Sequence, residues 1–185
     1  MEKTLTSRTI YQGKILEMRV DEVSLPSGRT STREFIRHPG AVSVLPFLVL
    51  SRDNFREHRV ILVRQFRYPV EETLLEIPAG RLESGENPEE TARREMIEEI
   101  GYRVGELRHI STFYTTPGYT NEVMHLFFAY HLEKTEAQPE QDEVLEIETL
   151  TLGEALDQVE KGEIKDGKTI AALVLAAVRE KGSEK

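Results

Sequence analysis

Glu95, Glu98 and Glu99 lie in a segment whose apolar residues recur with the period of a helix. Residues three or four apart share a helix face, so Glu95 and Glu99 lie one turn apart along one edge. Carboxylates at this spacing repel each other, so helix stability alone does not explain them. Hard divalent cations such as Mg²⁺ bind a few protein carboxylates and take their other oxygens from water and phosphate. The spacing suits a metal site, or else an exposed glutamate-rich helix paired with Arg93 and Arg94.

The helix that carries these glutamates has recognisable ends. Asn87 can cap it, Pro88 occupies the first helical position, and Glu90 completes the pattern of a capping box. Gly101 ends it. The sequence therefore predicts a helix over residues 87–100.

Strands and two further helices must position this segment. We expect a hairpin formed by residues 15–25 and 30–37 around the Pro26-Ser-Gly28 turn. Two closing helices follow, one opened by the capping box of Thr151 and Glu154 and one capped by Asp166. Strands and helices mix without strict alternation, which indicates an α+β fold with layers around a mixed sheet. The other predicted strands cover residues 41–50, 59–65, 74–77, 108–113, 122–131 and 144–150.

The net charge of −9 over 185 residues is distributed unevenly. Residues 1–70 carry +5, whereas residues 71–100 carry −7 and residues 133–148 carry −6. The overall sign argues against non-specific nucleic-acid binding, but the basic first segment is compatible with a small phosphate ligand. Each acidic block has a solvated surface as its alternative explanation.

The composition also limits where the protein works. The chain has no cysteine, which excludes disulfides and thiolate metal sites and fits a cytoplasmic location. The first residues lack the layout of a signal peptide. The longest apolar run, residues 41–50, is too short to span a membrane. We therefore expect a cytoplasmic protein with neither a nucleic-acid nor a membrane partner.

A longer pattern surrounds the glutamates: Gly80-x5-Glu86-x7-Arg94-Glu95-Met96-x-Glu98-Glu99-x-Gly101-Tyr102. It resembles the Nudix box, the signature of hydrolases that cleave a nucleoside diphosphate linked to another moiety. Every fixed position matches, and only the last position, usually aliphatic, is occupied differently, by Tyr102. The resemblance implies an α/β/α sandwich with a mixed sheet, preceded by an N-terminal antiparallel β-hairpin sheet.

The resemblance also implies roles for residues near the box. Glu95 and Glu99 would bind Mg²⁺, with Mn²⁺ as the alternative ion, and Glu98 would support or share an ion. Arg94 would orient a glutamate through a charge-assisted hydrogen bond. Two further members of this metal site would be Glu86 and the main-chain carbonyl of Ala79.

Features outside the box are similar to the ADP-ribose pyrophosphatase branch of the family. Pro117 lies 15 residues after Tyr102, in a Pro-Gly-aromatic run typical of that branch, although an ordinary turn also explains it. The likeness extends over residues 5–180. It implies two regions, residues 1–40 for dimer and substrate contacts and residues 41–185 for the hydrolase domain.

The same resemblance implies the substrate contacts. Arg67 would bind the phosphates, and Glu122 would lie beside the pyrophosphate and the metals. Glu34 and nearby Arg33 would reach the adenine side from an N-terminal sheet that is exchanged between the two subunits of a homodimer. Ile15 would be an apolar contact from the same segment of the partner.

The resemblance also implies a general base in the second acidic block, residues 133–148. The position that aligns with the base of related enzymes is Gln141, and glutamine cannot accept a proton from water. Three explanations are open: Glu140, Asp142 or Glu143 takes its place, a hydroxide that bridges two metals needs less help from a base, or the alignment is shifted by one residue. We favour Glu143.

The expected reaction is the Mg²⁺-dependent hydrolysis of ADP-ribose, or a related nucleoside diphosphate sugar, to AMP and ribose 5-phosphate. One alternative is a Nudix hydrolase of GDP-mannose, UDP-sugars or oxidised dNTPs. The other is a non-catalytic nucleotide-binding module with the same fold.

Overall fold

The N-terminal region forms its own antiparallel sheet of three strands in the order β1-β2-β3. The strands are β1 (Lys3–Gln12), β2 (Glu17–Ser24) and β3 (Thr30–Arg37). The turn between β2 and β3 contains Gly28 with a φ of +81°, a backbone conformation that favours glycine. This computed structural model describes residues 1–83, 85–138 and 144–183.

A second, mixed sheet of seven strands forms the centre of the protein. Five of its strands are hydrogen-bonded side by side in the order β10-β5-β4-β9-β8. Outside this order, β6 pairs with β5 and β7 pairs with β4. The β4–β9 pair is parallel and the other pairs are antiparallel. The strands are β4 (Ala41–Val49), β5 (Arg59–Arg67), β6 (Glu72–Glu76), β7 (Ala79–Arg81), β8 (Tyr102–Tyr114), β9 (Val123–Lys134) and β10 (Glu146–Thr151).

Three helices cover the two faces of this sheet: α1 (Pro88–Ile100), α2 (Leu152–Glu160) and α3 (Gly167–Ser183). Alternate residues of the central strands face opposite sides, as a strand requires. On one face, Val42 and Ile61 pack in a cluster with Met96 of α1. On the other, Leu45 and Leu62 pack in a cluster with residues of α2 and α3. The predicted α/β/α sandwich with a mixed sheet and a separate N-terminal sheet is therefore confirmed.

The helix ends follow the sequence signals closely. Asn87 caps α1, and Gly101 ends it with a φ of +67°. The Asn87 side chain accepts the N–H of Glu89, one residue before the position that a capping box uses. The capping box of Thr151 at the start of α2 is present in full.

Three strands differ from the sequence prediction. β1 was not separately identified, because all ten of its residues are exposed and show no burial alternation. β7 has only three residues and forms by pairing with β4. β8 begins six residues before the predicted start at residue 108. Within the described part of the chain, no helix combines the length and apolar character needed to cross a membrane.

Candidate active site

A cleft of about 580 Å³ opens where the strand ends of the central sheet meet the first turn of α3. One wall is the main chain of β7, and a second carries Arg67 and Lys168. A third wall comes from the end of β8 and the start of β9, including Thr115 and Glu122. The cleft therefore brings together residues from distant parts of the sequence.

The glutamates of α1 pack directly against the main chain of β7. Glu95 and Glu99 are 8 % and 5 % exposed. The N–H of Ala79 donates to Glu99 Oε2 at 3.1 Å. A Cβ atom on Gly80 would lie 1.8 Å from Glu95 Oε1, so this position has room only for glycine. The close approach places both carboxylates behind the wall of the cleft.

Arg94 holds three neighbouring carboxylates together. Its Nη1 donates to Glu95 Oε1 at 2.8 Å and to Glu98 Oε2 at 2.6 Å. Its Nε and Nη2 bind the two oxygens of Glu86 at 3.0 and 3.2 Å. Nη2 also approaches the carbonyl of Arg81, at the end of β7, at 3.4 Å. Arg94 therefore orients the glutamates and ties α1 to β7.

These contacts change the proton affinity of the groups. Hydrogen bonds from Arg94 lower the pKa of the Glu86 carboxyl to about 2 and outweigh the opposing effect of burial. The pKa of Arg94 is raised, first by its hydrogen bonds to Glu86 and then by the charges of Glu95 and Glu98. Glu86 and Arg94 are therefore both ionised at neutral pH.

Glu86 is expected to contribute stability that is lost in acid. Its ordinary pKa is 4.5 and its folded value is about 2, so the unfolded chain binds a proton that the folded chain does not. Stability should fall as the pH drops from about 4.5 towards 2. Glu86→Gln should be less stable than wild type at pH 7 and lose less stability in this window, measured by urea unfolding.

The matched control is Glu163→Gln, which removes an exposed carboxylate after α2. Its acid profile should follow that of wild type. If Glu86→Gln also follows the wild-type profile, the lowered pKa of Glu86 is wrong.

The donor set fits a hard divalent cation. Glu95 and Glu99 are buried carboxylates that adjoin the main chain at Ala79 and Gly80. Among the described residues, no three His, Cys, Asp or Glu side chains already converge on one point that could hold an ion. Mg²⁺ needs few protein carboxylates, because water and substrate phosphates complete its shell. These two glutamates and a main-chain carbonyl are therefore an adequate protein contribution.

The wall that carries Arg67 and Lys168 also contains a buried carboxylate that sequence reasoning missed. Glu76, at the end of β6, is 2 % exposed. Arg67 binds it through two hydrogen bonds, from Nε to Oε1 at 2.8 Å and from Nη2 to Oε2 at 2.7 Å. Lys168 also donates to Glu76, and its Nζ lies 3.1 Å from Asp166 Oδ1. The available signal was a glutamate inside the apolar run Leu74-Leu75-Glu76-Ile77.

The charged groups on this wall shift the pKa values of Glu76 and Arg67 so that each is favoured in its ionised form. Burial alone would raise the pKa of Glu76, but the hydrogen bonds from Arg67 and the charge of Lys168 outweigh it and lower that pKa. The pKa of Arg67 is raised, chiefly by its hydrogen bonds to Glu76 and further by the charges of Asp166 and Glu99. Arg67 is thus electrostatically linked to Glu99 of α1.

Glu122 lines the third wall in a defined position. Thr115 Oγ1 donates to its Oε2 at 2.7 Å, and His38 Nδ1 lies 3.6 Å from its Oε1. His38 Nδ1 accepts the N–H of Gly40 at 3.1 Å. Pro117 lies nearby in an exposed turn, which the N–H of Tyr119 closes by donating to the carbonyl of Thr116 at 3.2 Å.

The remaining predicted residues lie away from this cleft in the single chain. Arg33 binds Glu2 through its Nε at 3.0 Å on the exposed N-terminal sheet, and Glu34 is exposed beside it on β3. Ile15 is 57 % exposed and lines a separate cavity of about 370 Å³ next to His38. The candidate bases Glu140, Asp142 and Glu143, together with Gln141, lie outside the described residues.

Comparisons with known proteins agree with this geometry. Residues 43–173 match the NUDIX domain, and residues 2–36 match the nucleoside diphosphate sugar hydrolase N-terminal domain. The chain is 43 % identical to the ADP-ribose pyrophosphatase of Bacillus subtilis (strain 168), over 97 % of this chain and 94 % of that protein. It is 40 % identical to the methanol dehydrogenase activator of Bacillus methanolicus, with the same two coverages.

More distant proteins share parts of these features. GDP-mannose pyrophosphatase of Escherichia coli O6:K15:H31 (strain 536 / UPEC) is 37 % identical over 65 % of this chain and 67 % of its own length. A crystal structure of an ADP compounds hydrolase superposes with a TM-score of 0.84, covering 98 % of this chain and 95 % of the other. At 20 % identity, that likeness concerns the fold. By its sequence matches and its helix of glutamates packed on β7, the chain belongs to the Nudix family of hydrolases.

Proposed function

We propose that the protein hydrolyses ADP-ribose, or a related nucleoside diphosphate sugar, to AMP and ribose 5-phosphate, with Mg²⁺ as the cofactor and Mn²⁺ as the alternative. The observation that carries this proposal is the packing of Glu95 and Glu99 against the main chain of Ala79 and Gly80 at the cleft. The 43 % identity to an ADP-ribose pyrophosphatase over nearly the whole chain favours this substrate.

Glu95, Glu99 and the carbonyl of Ala79 would hold the metal, with Glu98 and Glu86 in support through Arg94. A divalent metal held there would supply charge neutralisation for the pyrophosphate and would lower the pKa of a bound water. Arg67, which lines the same cleft, would bind the phosphates, because a guanidinium suits bidentate contact with phosphate oxygens. Glu122 would be placed beside the pyrophosphate, where Thr115 fixes one of its oxygens.

A panel of substrates tests the activity itself. Wild-type protein is incubated with ADP-ribose, GDP-mannose, a UDP-sugar and an oxidised dNTP, each with Mg²⁺, with Mn²⁺ and with EDTA. We expect AMP to form from ADP-ribose fastest and only when a divalent ion is present. GDP-mannose belongs in the panel because a 37 % identical relative is a GDP-mannose pyrophosphatase. Binding of ADP-ribose without cleavage under any ion would favour a non-catalytic module instead.

The general base is proposed to be Glu143, with Glu140 and Asp142 as the alternatives. Replacing the base with its amide should lower kcat by about 10²–10⁴-fold, which is the usual contribution of a positioned general base. The comparison is of Glu143→Gln, Glu140→Gln and Asp142→Asn in steady-state kinetics, so each variant serves as a control for the other two. If all three variants are fully active, the general base is another group.

We also propose a homodimer in the cytoplasm, in which residues 1–40 are exchanged and bring Ile15, Arg33 and Glu34 to the partner's cleft. The support is the exposed apolar surface of the N-terminal region, where Leu5 and Ile10 are 52 % and 46 % exposed. Sedimentation should give twice the mass of the 21.2 kDa chain.

The double variant Leu5→Ser, Ile10→Ser should weaken the dimer, because it removes apolar area from that surface. Val174→Ser is the control, since it removes an exposed apolar side chain from α3 instead. A wild-type protein that sediments as a monomer would contradict the proposal.

A further inference from the structure

Glu76 is a buried carboxylate bound by two cations, and neither Lys168 nor Glu76 belongs to the Nudix box. The Glu76 side chain is 2 % exposed and lies behind the cleft surface, whereas Arg67, Asp166 and Lys168 line the cleft. The lining residues of this wall therefore present two positive charges and one negative charge to a ligand. An electrostatic arrangement of this kind suits an anionic group.

The geometry leaves donors available on both cations. Arg67 uses Nε and Nη2 to bind Glu76, and among the described residues no partner is found for its Nη1. Its side chain is 39 % exposed. Lys168 has three donors; it binds Glu76 and approaches Asp166, so one donor remains for a ligand in the cleft. Both cations can thus donate hydrogen bonds to a phosphate while they keep their hydrogen bonds to Glu76.

The start of α3 is fixed to the end of β6, which holds Lys168 in place. Asp166 Oδ2 accepts both the N–H and the Oγ1 hydroxyl of Thr169, at 3.0 and 2.5 Å. Thr169 Oγ1 in turn accepts the N–H of Ile77 at 2.9 Å. Thr169 is fully buried. Because Ile77 directly follows Glu76, these bonds fix the carboxylate and both cations relative to one another before any ligand binds.

We propose that Lys168 binds the phosphates of the substrate together with Arg67, and that Glu76 is the positioning residue for both cations. This inference rests on the proposed function for the identity of the ligand, a nucleoside diphosphate sugar. It adds a substrate contact from α3, on a different wall of the cleft from β7.

The test for Lys168 measures binding without turnover. ADP-ribose and adenosine are titrated in EDTA against wild type, Lys168→Met and Lys165→Met, with ligand-observed NMR for the weak adenosine complex. A hydrogen bond to a charged group contributes about 1.5–3 kcal/mol, and about 1.4 kcal/mol corresponds to tenfold in Kd. Lys168→Met should therefore weaken ADP-ribose about 10–100-fold and leave adenosine, which has no phosphate, unchanged.

Lys165→Met is the matched control. Lys165 is an exposed lysine three residues earlier, paired with Glu72 at 2.5 Å, and it does not line the cleft. It should bind both ligands as wild type does. Unchanged affinity of Lys168→Met for ADP-ribose, or an equal loss for both ligands, would overturn the assignment of Lys168.

The role of Glu76 is tested by kinetics. Glu76→Gln should raise KM for ADP-ribose about tenfold with little change in kcat, since it loosens groups that bind substrate rather than groups that react. A variant that only lowers kcat in proportion to its unfolded fraction, with KM unchanged, would show a purely structural role and overturn the positioning assignment.

The experiments distinguish a failure of the Lys168 assignment from a failure of the proposed hydrolase activity. Wild-type protein that binds ADP-ribose in EDTA but releases no AMP with Mg²⁺ would overturn the hydrolase activity and leave the Lys168 contact standing. AMP release by wild type together with unimpaired binding by Lys168→Met would overturn the Lys168 contact alone. Wild-type protein that does not bind ADP-ribose would overturn both.

Discussion

Replacing Glu99 with glutamine is expected to lower kcat for ADP-ribose by about 10³-fold while the protein remains folded. Charge stabilisation by a bound metal contributes several kcal/mol to such reactions, and each 1.36 kcal/mol is tenfold in rate. The amide has the shape of the carboxylate and can still accept the N–H of Ala79, as Glu99 does at 3.1 Å. The variant therefore removes a negative charge that would hold the metal, with little change in packing.

Glu90→Gln is the control for this substitution. Glu90 is an exposed residue of the first turn of α1, so its variant removes one carboxylate from the same helix on the solvent side. Initial rates over a range of Mg²⁺ concentrations and a thermal unfolding curve are measured for both variants. Ordinary turnover by a folded Glu99→Gln protein would contradict the assignment of Glu99 as a metal ligand.

Gly80→Ala is expected to lower kcat by about 10²-fold or more. The added Cβ would lie 1.8 Å from Oε1 and 1.9 Å from Cδ of Glu95, so the carboxylate must move or β7 must shift. A displacement of about 1 Å near a reacting group can reduce the rate about 10²-fold. The glycine is required by this close approach, so the effect should fall on activity more than on folding.

Gly105→Ala is the control that separates a loss of activity from a loss of stability. A Cβ on Gly105, in β8, would lie 2.9 Å from the main-chain oxygen of His131, a smaller conflict that involves main chain and lies outside the cleft lining. Its variant should lower the unfolding midpoint but keep the wild-type kcat per folded molecule. If Gly80→Ala behaves in the same way, then β7 and Glu95 do not need their observed contact for catalysis.

Local signals were sufficient to predict α1 and its ends. Asn87 and Gly101 act within one turn of the helix that they bound, so the sequence alone indicates them. The periodicity of the helix also placed Glu95 and Glu99 on one side. The structure agrees, and both are buried against β7.

Long-range features could not be predicted in this way. Glu76 and Lys168 lie 92 residues apart in sequence and meet only after α3 packs on the sheet. β7 is a strand of three residues whose conformation depends on its pairing with β4. The 1.8 Å approach at Gly80 is likewise a result of packing between two elements. No window of local sequence contains such information.

The carboxylates bound by Arg94 determine how the protein should respond when its metal ion is removed. It already binds one or both oxygens of Glu86, Glu95 and Glu98, which offsets the mutual repulsion of these carboxylates within the protein itself. We therefore expect the protein to fold without a bound ion, unlike small metal-folded domains. Removing the ion with a chelator should therefore switch the activity off reversibly. We expect that metal-free protein can be stored and that adding a chosen divalent ion restores its activity without refolding.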